Sequence, residues 1–381
     1  MSSGPQGSPP QAAPVPQDIL GEPVLQDIRA HPLTPGLRDI PVAPLAPAAP
    51  VPRDTLAAPP APAAPVLQDI PRRRALLVLL VAAAGYAALR LAMNREFAGA
   101  PWDELLAFTA PKPFGLRVLI PLLVWPLHAL LRVPTVWVFA LVETLAAAAL
   151  VLAVHASLRP LLPPRLAVLF ATATLALLPI PFLLQHRWPI YYPYDTPAMA
   201  FTAAGVALLL AHRWRAAAVL VFFAALNRES AVLLPLAALA LPVPGAGLRP
   251  RLLRALLLLS TFAAARLFVG LALLNNPGAP LQFFAAETPR LLLNLAWLED
   301  PGHWPLLPAY LGFVPLLWVL LARWIPPQLR RLGWVALLYI GALMWVANID
   351  EPRVYGEPMI LLWIPAAVGL ARWLQAGERP L

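Results

Sequence analysis

Long apolar stretches recur through most of this chain, and they constrain its fold more than any other sequence feature. A membrane-spanning helix needs about 20 predominantly apolar residues, because each residue advances the helix by about 1.5 Å across a hydrocarbon core about 30 Å thick. Stretches that can cross a bilayer lie at residues 75–93, 135–157, 166–185, 197–212, 252–274, 304–322, 332–348 and 358–374. These patterns predict an all-α polytopic membrane protein with about eight spanning helices.

The composition excludes a water-soluble globular protein. Of the 381 residues, 60% are hydrophobic and 12% are charged, whereas a soluble domain averages about 25% charged residues. A soluble fold of this composition would expose large apolar patches. The net charge is +9, but the arginines lie between apolar stretches, so nucleic acid is not expected as a partner. The absence of cysteine excludes disulfides, thiolate metal sites and cysteine nucleophiles.

Residues 1–71 differ in composition from the rest of the chain. They hold 18 of the 49 prolines and no aromatic residue, and their net charge is −3, against +12 for residues 72–381. Proline at this density disfavours helix and sheet, so we predict an extended, disordered Pro/Ala-rich tail with irregular Gln-Asp-Ile repeats, followed by a transmembrane domain at 72–381. Two interpretations fit this tail: a dispensable segment or misassigned start, and a docking tether.

Arginines between the apolar stretches predict the orientation of the chain. Basic residues accumulate in the cytoplasmic turns of membrane proteins, so Arg72, Arg73 and Arg74 place the start of the first span in the cytoplasm. With that start, the other basic turns also fall in the cytoplasm, at residues 159–165, 213–215, 249–254, 323–331 and 372–379. Both termini are therefore predicted to be cytoplasmic.

Two interrupted stretches do not fit as simple spans. Residues 116–131 contain Pro121 and Pro126, and the arginine pattern requires them to lie as an interfacial helix along the outer face. Residues 216–226 and 231–241 are separated by a charged break, and the same pattern requires a re-entrant pair that returns to the cytoplasmic side. The loops left on the outer side hold most of the acidic residues, so a catalytic site is expected to open outward. These loops are residues 94–134, 186–196, 275–303 and 349–357.

Charged and polar residues occupy the break of the predicted re-entrant pair. The break contains Asn227, Arg228 and Glu229, and an ionised side chain in mid-bilayer costs about 2.5–3.5 kcal/mol on insertion scales. Such residues should face protein or a water-filled cavity. Two interpretations fit: a neutralising Arg228–Glu229 pair with a structural role, and a functional cavity that descends to the bilayer midplane. Glu143 and Arg266, which also lie within spans, are expected to pair with other helices.

The outer loops supply the remaining candidate residues, each with an ordinary alternative role. Acids that follow the first span can be catalytic or merely solvated, and an arginine can bind a ligand anion or extend to lipid headgroups. Interfacial tyrosines anchor membrane proteins, although aromatic rings beside a carboxylate also suit a sugar, and an aspartate before a helix can cap it. The candidates are Asp103 and Glu104, Arg117, Tyr191, Tyr192 and Asp195, and Glu351 with Arg353.

Motifs for common cofactors and metals are missing from the sequence. The six histidines form no metal-ligand pattern, and there is no Walker loop, Rossmann glycine fingerprint or nucleophile elbow. We therefore predict no protein-built metal site and no cofactor, although a divalent ion bridging outer carboxylates and a phosphate is compatible with the sequence.

The order of these motifs resembles that of bacterial integral-membrane proteins of the C-type glycosyltransferase superfamily (GT-C). The resemblance covers about residues 72–375 and depends on order and shared outward placement. The motifs are the acidic pair after the first span, PFGLRVLIPLL at 113–123, YYPYD at 191–195, NRES at 227–230 and EPRVYGE at 351–357.

The resemblance implies an inverting glycosyltransferase, hexosyltransferase-like, that acts on the outer face of the bacterial inner membrane. It implies Asp103 as the catalytic base, with Glu104 second, and Arg117, Arg228 and Arg353 as ligands of the donor phosphate. The implied donor is a sugar on a polyprenyl phosphate. A base must take the acceptor's proton and arginine forks stabilise a departing phosphate, which is consistent with these residues. The sequence lacks the large soluble C-terminal domain of better-characterised branches, which leaves the acceptor undefined.

Two other function classes fit the sequence. Intramembrane charge and a broken helix pair are also features of transporters and lipid flippases, although these often show two similar halves and this chain repeats neither NRES nor RVLIP. A non-catalytic scaffold, in which polar residues only hold helices together, is the third interpretation.

Overall fold

A computed structural model describes residues 72–183, 189–242, 247–285 and 287–377. The predicted tail, residues 1–71, lies outside the described residues, as do residues 186–188 of the aromatic outer loop. The described part of the chain is helical, with four two-residue strands, and it is a membrane protein by the length and composition of its helices. The fold-class prediction of an all-α polytopic protein therefore holds at this level.

Fifteen α-helices follow one another in the described residues. They are α1 (Arg72–Met93), α2 (Trp102–Leu106), α3 (Leu119–Leu131), α4 (Thr135–Leu158), α5 (Pro164–Leu177), α6 (Pro179–Phe182), α7 (Asp195–Leu210), α8 (Trp214–Asn227), α9 (Leu233–Ala240), α10 (Leu248–Ala272), α11 (Arg290–Leu298), α12 (Leu306–Tyr310), α13 (Val314–Leu320), α14 (Pro327–Val346) and α15 (Gly356–Gly377).

Short 3-10 turns and two small sheets complete the described structure. Strand β1 (Arg95–Glu96) pairs in parallel with β2 (Ile190–Tyr191), and β3 (Phe284–Ala285) pairs antiparallel with β4 (Thr288–Pro289). The 3-10 turns are Phe114–Leu116, Glu229–Val232, Pro301–His303 and Pro352–Tyr355.

Six helical segments in the described residues are long and apolar enough to cross a membrane, compared with the eight predicted. The predicted stretch at 197–212 forms α7, whose 16 residues extend about 24 Å, less than the hydrocarbon thickness. The predicted stretch at 304–322 forms a helix pair bent by 82°, and counting that pair as one span gives seven. The six are Arg73–Met93, Thr135–Leu158, Pro164–Phe182, Leu248–Ala272, Pro327–Val346 and Pro352–Ala376.

The bend between α12 and α13 has a local cause. Gly312 and Phe313 both have positive φ, 61° and 56°, which is a left-handed backbone that interrupts a right-handed helix. A Cβ at Gly312 would lie 2.8 Å from Ile180 Cδ1, so Ile180 would have to shift, and the positive φ would strain any other residue there. The hydropathy pattern shows the apolar stretch but does not show this break in the helix.

Helices α8 and α10 run in the same direction. The Arg254 guanidinium near the start of α10 lies 4.1 Å from the ring centroid of Trp214, the first residue of α8. Arg266, 12 residues later in α10, donates to the Ala225 carbonyl near the end of α8 at 3.1 Å. The two helices therefore begin at one end of the bundle and end at the other.

Helix α9 returns to the end of the bundle where α8 begins. Its last residue, Ala240, accepts a hydrogen bond from Arg331, near the start of α14, at 3.5 Å. Between the two helices, Arg228 has extended backbone (φ −161°, ψ 149°), which separates α8 from the next 3-10 turn. The two short helices therefore form a hairpin, and its re-entrant placement in a membrane stays a prediction.

The basic turns collect at one end of the bundle, which we call the arginine end, and the candidate residues collect at the opposite, loop end. Glu143 near the start of α4 contacts Thr196 at the start of α7, and Ser157 near the end of α4 contacts the Ala203 carbonyl at 3.3 Å, so these helices run in parallel. Arg90, near the end of α1, meets Glu143. The loop end therefore contains the end of α1 and the starts of α4 and α7.

Helix α15 is the central helix of the bundle, because almost all of its residues are buried. It packs against α4, α7, α13 and α14, and its apolar residues face in all directions, as expected for a helix enclosed by others. The predicted interfacial helix corresponds to α3, which starts at Leu119 and leaves Arg117 in the preceding turn. Leu122, Trp125 and Leu130 of α3 are exposed.

Candidate functional site

A cavity of about 640 Å³ lies at the loop end of the bundle. Its walls come from the turn before α3, strand β2, the break after α8, the segment before α11, and the facing parts of α10, α14 and the turn before α15. Six of the eleven residues predicted from the sequence line it. They are Arg117, Tyr192, Arg228, Glu229, Glu351 and Arg353.

Arg117 and Glu229 form an ion pair on one wall of the cavity. Arg117 Nε donates to Glu229 Oε2 at 3.1 Å, and its Nη2 donates to Oε1 in a second hydrogen bond. The guanidinium also lies over the Tyr194 ring, 4.5 Å from the centroid. Burial alone lowers the pKa of Arg117, but the Glu229 carboxylate outweighs burial and the net pKa lies above the usual arginine value. Arg117 Nη1 is buried without a hydrogen-bond partner among the described residues.

Arg228 pairs with two distant carboxylates. Its Nη1 lies 3.0 Å from Asp195 Oδ1 and 3.3 Å from Glu357 Oε1. The ion pair between Arg228 and Glu229 considered from the sequence is absent from the described contacts, because extended backbone at Arg228 points consecutive side chains in opposite directions. Asn227 is buried beside it and donates to the Tyr194 carbonyl at 2.9 Å, which fixes the break against the start of α7.

Glu351 and Arg353 form a second ion pair on another wall. Arg353 Nη2 lies 2.9 Å from Glu351 Oε2, and Asn348 Nδ2 donates to Glu351 Oε1 at 3.1 Å. The Arg353 guanidinium lies 3.9 Å from the centroid of the Tyr192 ring. Burial raises the pKa of the Tyr192 phenol, so this ring stays neutral. The Glu351 side chain is 37% exposed and is therefore accessible to a ligand.

Arg290 is a cavity residue that the sequence analysis missed. It is the first residue of α11, and it donates to the Gln282 carbonyl at 2.7 Å and to Asn348 Oδ1. Burial lowers the pKa of its guanidinium. In the described residues it has no carboxylate within ion-pair distance, although Glu351 is nearby. An arginine directly before the apolar run of α11, in an outer loop, was the available signal.

Asp103 and Glu104 lie away from the cavity. Both are exposed on α2, a helix whose Leu105 and Leu106 turn into the fold, so the two acids project outward. The adjacent Trp102 packs on the rings of neighbouring aromatic residues. Asp103 and Glu104, for which the resemblance implies a catalytic role, therefore do not lie near the arginines of the cavity.

Three further predicted residues lie behind the cavity wall. Tyr191, Asp195 and Asn227 are buried and none of them lines the cavity. Asp195 nevertheless acts on it, because it binds the cavity residue Arg228. Tyr191 lies beneath the Arg90 guanidinium, 4.9 Å from the ring centroid.

The expectation that Glu143 and Arg266 pair with other helices is confirmed. Glu143 Oε1 lies 2.6 Å from Arg90 Nη1, and both side chains are fully buried. Arg266 donates to the Leu116 and Ala225 carbonyls at 3.0 and 3.1 Å. Arg90 was missed, although an arginine near the end of an apolar span is itself a signal of a buried partner.

The cavity combines excess positive charge with an apolar wall. Four guanidiniums and two carboxylates line it, which gives a formal charge of +2 for the lining residues, although Arg228 is also paired with Asp195 and Glu357 behind the wall. The apolar wall includes Phe262 of α10, Leu281, and Leu343 and Val346 of α14. Such a site suits an amphiphilic anion, with arginine forks for the anionic group. No three histidine, aspartate or glutamate side chains within the described ranges are placed to hold a metal ion.

Comparison of the chain with protein-family models, with curated proteins and with solved structures finds no match. The likeness to GT-C therefore depends on the sequence motifs alone.

Proposed function

We propose that the cavity binds a lipid-linked sugar phosphate and that the protein is a membrane glycosyltransferase acting on the outer face. The main observation behind this proposal is that one cavity has both four guanidiniums and an apolar wall. A sugar on a polyprenyl phosphate has both an anionic group and a long hydrocarbon chain, so it is complementary to both parts. The collection of basic turns at the opposite end of the bundle supports an outward-facing cavity in the bacterial inner membrane.

In this proposal the arginines hold the donor phosphate. Arg117, Arg228 and Arg353 keep the role implied by the resemblance, and Arg290 joins them because it lines the same cavity without a carboxylate partner among the described residues. Guanidiniums bind phosphate oxygens through parallel hydrogen bonds and stabilise the charge that develops as the phosphate leaves. No metal or cofactor is part of the proposal.

We assign the role of general base to Glu351. Both cavity carboxylates are partly exposed, 32% for Glu229 and 37% for Glu351, but Arg117 donates two hydrogen bonds to Glu229, whereas Glu351 has one ion pair with Arg353 and one hydrogen bond from Asn348. Glu351 would take the proton of the acceptor hydroxyl as that oxygen attacks the anomeric carbon. The bond from that carbon to the phosphate oxygen breaks in the same step, the phosphate keeps the electron pair, and the anomeric configuration inverts.

Binding of a short isoprenoid phosphate tests the donor site. Citronellyl phosphate is titrated into the purified protein in nanodiscs, and tryptophan fluorescence reports binding. Hydrogen bonds to charged groups contribute about 1.5–3 kcal/mol, so Arg353→Gln should weaken binding about 10- to 100-fold. The matched control is Arg132→Gln, because Arg132 is exposed at the end of α3 and does not line the cavity. Equal affinities for wild type and Arg353→Gln would contradict the assignment.

A transporter or lipid flippase is the second candidate. The hairpin of α8 and α9, with charged residues at its break, is a feature that transporters use to form substrate sites. A radiolabelled polyprenyl-phosphate hexose separates the two functions. The glycosyltransferase transfers the label to an acceptor in a cell-envelope extract, whereas a flippase moves the intact lipid across the bilayer without product.

A further inference from the structure

Five ionisable side chains form a buried network behind the cavity wall. They are Arg90, Glu143, Asp195, Arg228 and Glu357, and none is more than 4% exposed. Arg90 lies 2.6 Å from Glu143 and 3.5 Å from Asp195, and Arg228 lies 3.0 Å from Asp195 and 3.3 Å from Glu357. The network joins α1, α4, α7 and α15 to the break after α8.

The charges of this network do not balance. Three carboxylates and two guanidiniums give a formal charge of −1 if all are ionised. Among the residues that the structure describes, no third cation lies within ion-pair distance of these carboxylates. The neighbouring pairs Arg117–Glu229 and Arg353–Glu351 are each neutral. Two further arginines nearby, Arg266 and Arg290, face Glu229 and Glu351 and not the carboxylates of the network. An uncompensated charge in a buried site is costly, and a carboxylate in that position takes up a proton instead.

The hydrogen bonds single out the carboxylate that holds the proton. Glu143 Oε1 accepts from Arg90 and Thr196, both at 2.6 Å. Asp195 lies between two guanidiniums at the first residue of α7, where the helix dipole favours an anion. Asp195 Oδ2 and Glu357 Oε2 both lack a hydrogen-bond partner, but Arg90 lies 3.5 Å from Asp195 Oδ2, whereas among the described residues Glu357 is paired with Arg228 alone and shares it with Asp195. We propose that the network holds one exchangeable proton at neutral pH and that Glu357 carries it.

Ser230 gives this proton a route to the cavity. Its hydroxyl lies 2.5 Å from Glu357 Oε1, and Ser230 and Arg228 both line the cavity. A hydroxyl accepts as well as donates, so the protonated carboxyl group can donate to Ser230. When Glu357 ionises, its proton passes to cavity water and the carboxyl group becomes a carboxylate.

The ionisation of Glu357 depends on the charged groups that face it from the elements packed against α15. α13 contributes no titratable residue. The groups on the other packed elements are Arg228 and Glu229 from the break after α8, Asp195 from α7, Tyr339 from α14, Glu143 from α4, and Arg353 and Tyr355 from the preceding 3-10 turn. Arg228 is the one cation among them in contact with Glu357, and it is shared.

The proton couples to anion binding in the cavity. With Glu357 neutral, Arg228 is balanced by Asp195 alone and keeps more of its positive potential for a ligand. Ionisation of Glu357 adds a second negative charge to Arg228 and weakens anion binding. Because linkage is reciprocal, an anionic ligand must also strengthen proton binding. This proposal requires the cavity and the network but not glycosyl transfer.

Infrared spectroscopy of the full chain in an ester-free detergent tests the proposal. At neutral pH, where exposed carboxyl groups are ionised, the wild type should show the carbonyl band of one protonated carboxyl group per chain, and Glu357→Gln should remove it. Mutants alone do not locate the proton, because neutralising any network carboxylate also restores charge balance. Carbon-13 at glutamate side-chain carboxyls should shift the wild-type band, and the same label on aspartate should not.

The matched pair Glu357→Asp and Glu143→Asp completes the assignment. With labelled glutamate, the band should lose its isotope shift in Glu357→Asp, because the protonated group is now an aspartate, and keep it in Glu143→Asp. Absence of the band in the wild type overturns the proposal, as does a shift with labelled aspartate. A band that keeps its glutamate shift in Glu357→Asp also overturns it. If Glu357→Asp does not fold, the aspartate label in the wild type still excludes or identifies Asp195.

Discussion

Removal of the Arg90 guanidinium should be among the most destabilising single changes in this protein. Arg90 is fully buried and donates to Glu143 and Thr196 at 2.6 Å and to the Tyr192 carbonyl at 3.3 Å. Arg90→Met leaves these acceptors without their donor and raises the uncompensated negative charge of the network. Breaking a buried ion pair by removing one partner costs about 3–5 kcal/mol.

The measurement is unfolding in mixed micelles of increasing SDS fraction, followed by tryptophan fluorescence. Arg95→Met is the matched control, because Arg95 lies only five residues after Arg90 but is exposed. Surface substitutions change stability by about 0.5 kcal/mol or less. The double variant Arg90→Met/Glu143→Met should recover most of the loss, since it removes both members of the pair. A loss below about 1 kcal/mol for Arg90→Met would refute the view that the buried network is held by its ion pairs.

Two further predictions concern packing and orientation. In α14, Gly333→Ala should destabilise the protein by about 1–3 kcal/mol, because the added Cβ would lie 2.5 Å from the Trp318 ring. A Cβ at Gly341 meets no atom within 4 Å, so Gly341→Ala should stabilise the protein or leave its stability unchanged. The midpoint of thermal unfolding should therefore fall in Gly333→Ala and rise or stay unchanged in Gly341→Ala. On the cysteine-free background, Glu104→Cys should react with an impermeant thiol reagent added outside intact cells, and Trp214→Cys should not; the reverse pattern would invert the predicted orientation.

Six of the eight predicted spanning stretches correspond to long apolar helical segments in the structure, because hydropathy is a local property. The first apolar stretch, 75–93, lies inside the observed span Arg73–Met93, and the second, 135–157, corresponds to Thr135–Leu158. The arginine pattern also predicted that α9 turns back after α8. The bend at Gly312 was not predicted, because a left-handed turn leaves no trace in mean hydropathy.

The partners of the charged residues were harder to predict, because they depend on which helices are neighbours. Arg228 was considered with Glu229, its neighbour in sequence, yet it binds Asp195 and Glu357, which are 33 and 129 positions away. Asp103 was predicted as the base from the resemblance to GT-C, which matches the order of motifs and not their positions in space. A pair of acids in an outer loop signals exposure, and only the packing of α2 decides that they face away from the cavity.

The rate of sugar transfer in two carboxylate variants tests the central claim most directly. The protein is assayed with a saturating radiolabelled polyprenyl-phosphate hexose and a cell-envelope extract as acceptor. Glu351→Gln should lower kcat about 10²- to 10⁴-fold with donor affinity unchanged, whereas Asp103→Asn should transfer at the wild-type rate. Full activity in Glu351→Gln together with loss of activity in Asp103→Asn would contradict the account and return the base to the loop after the first span.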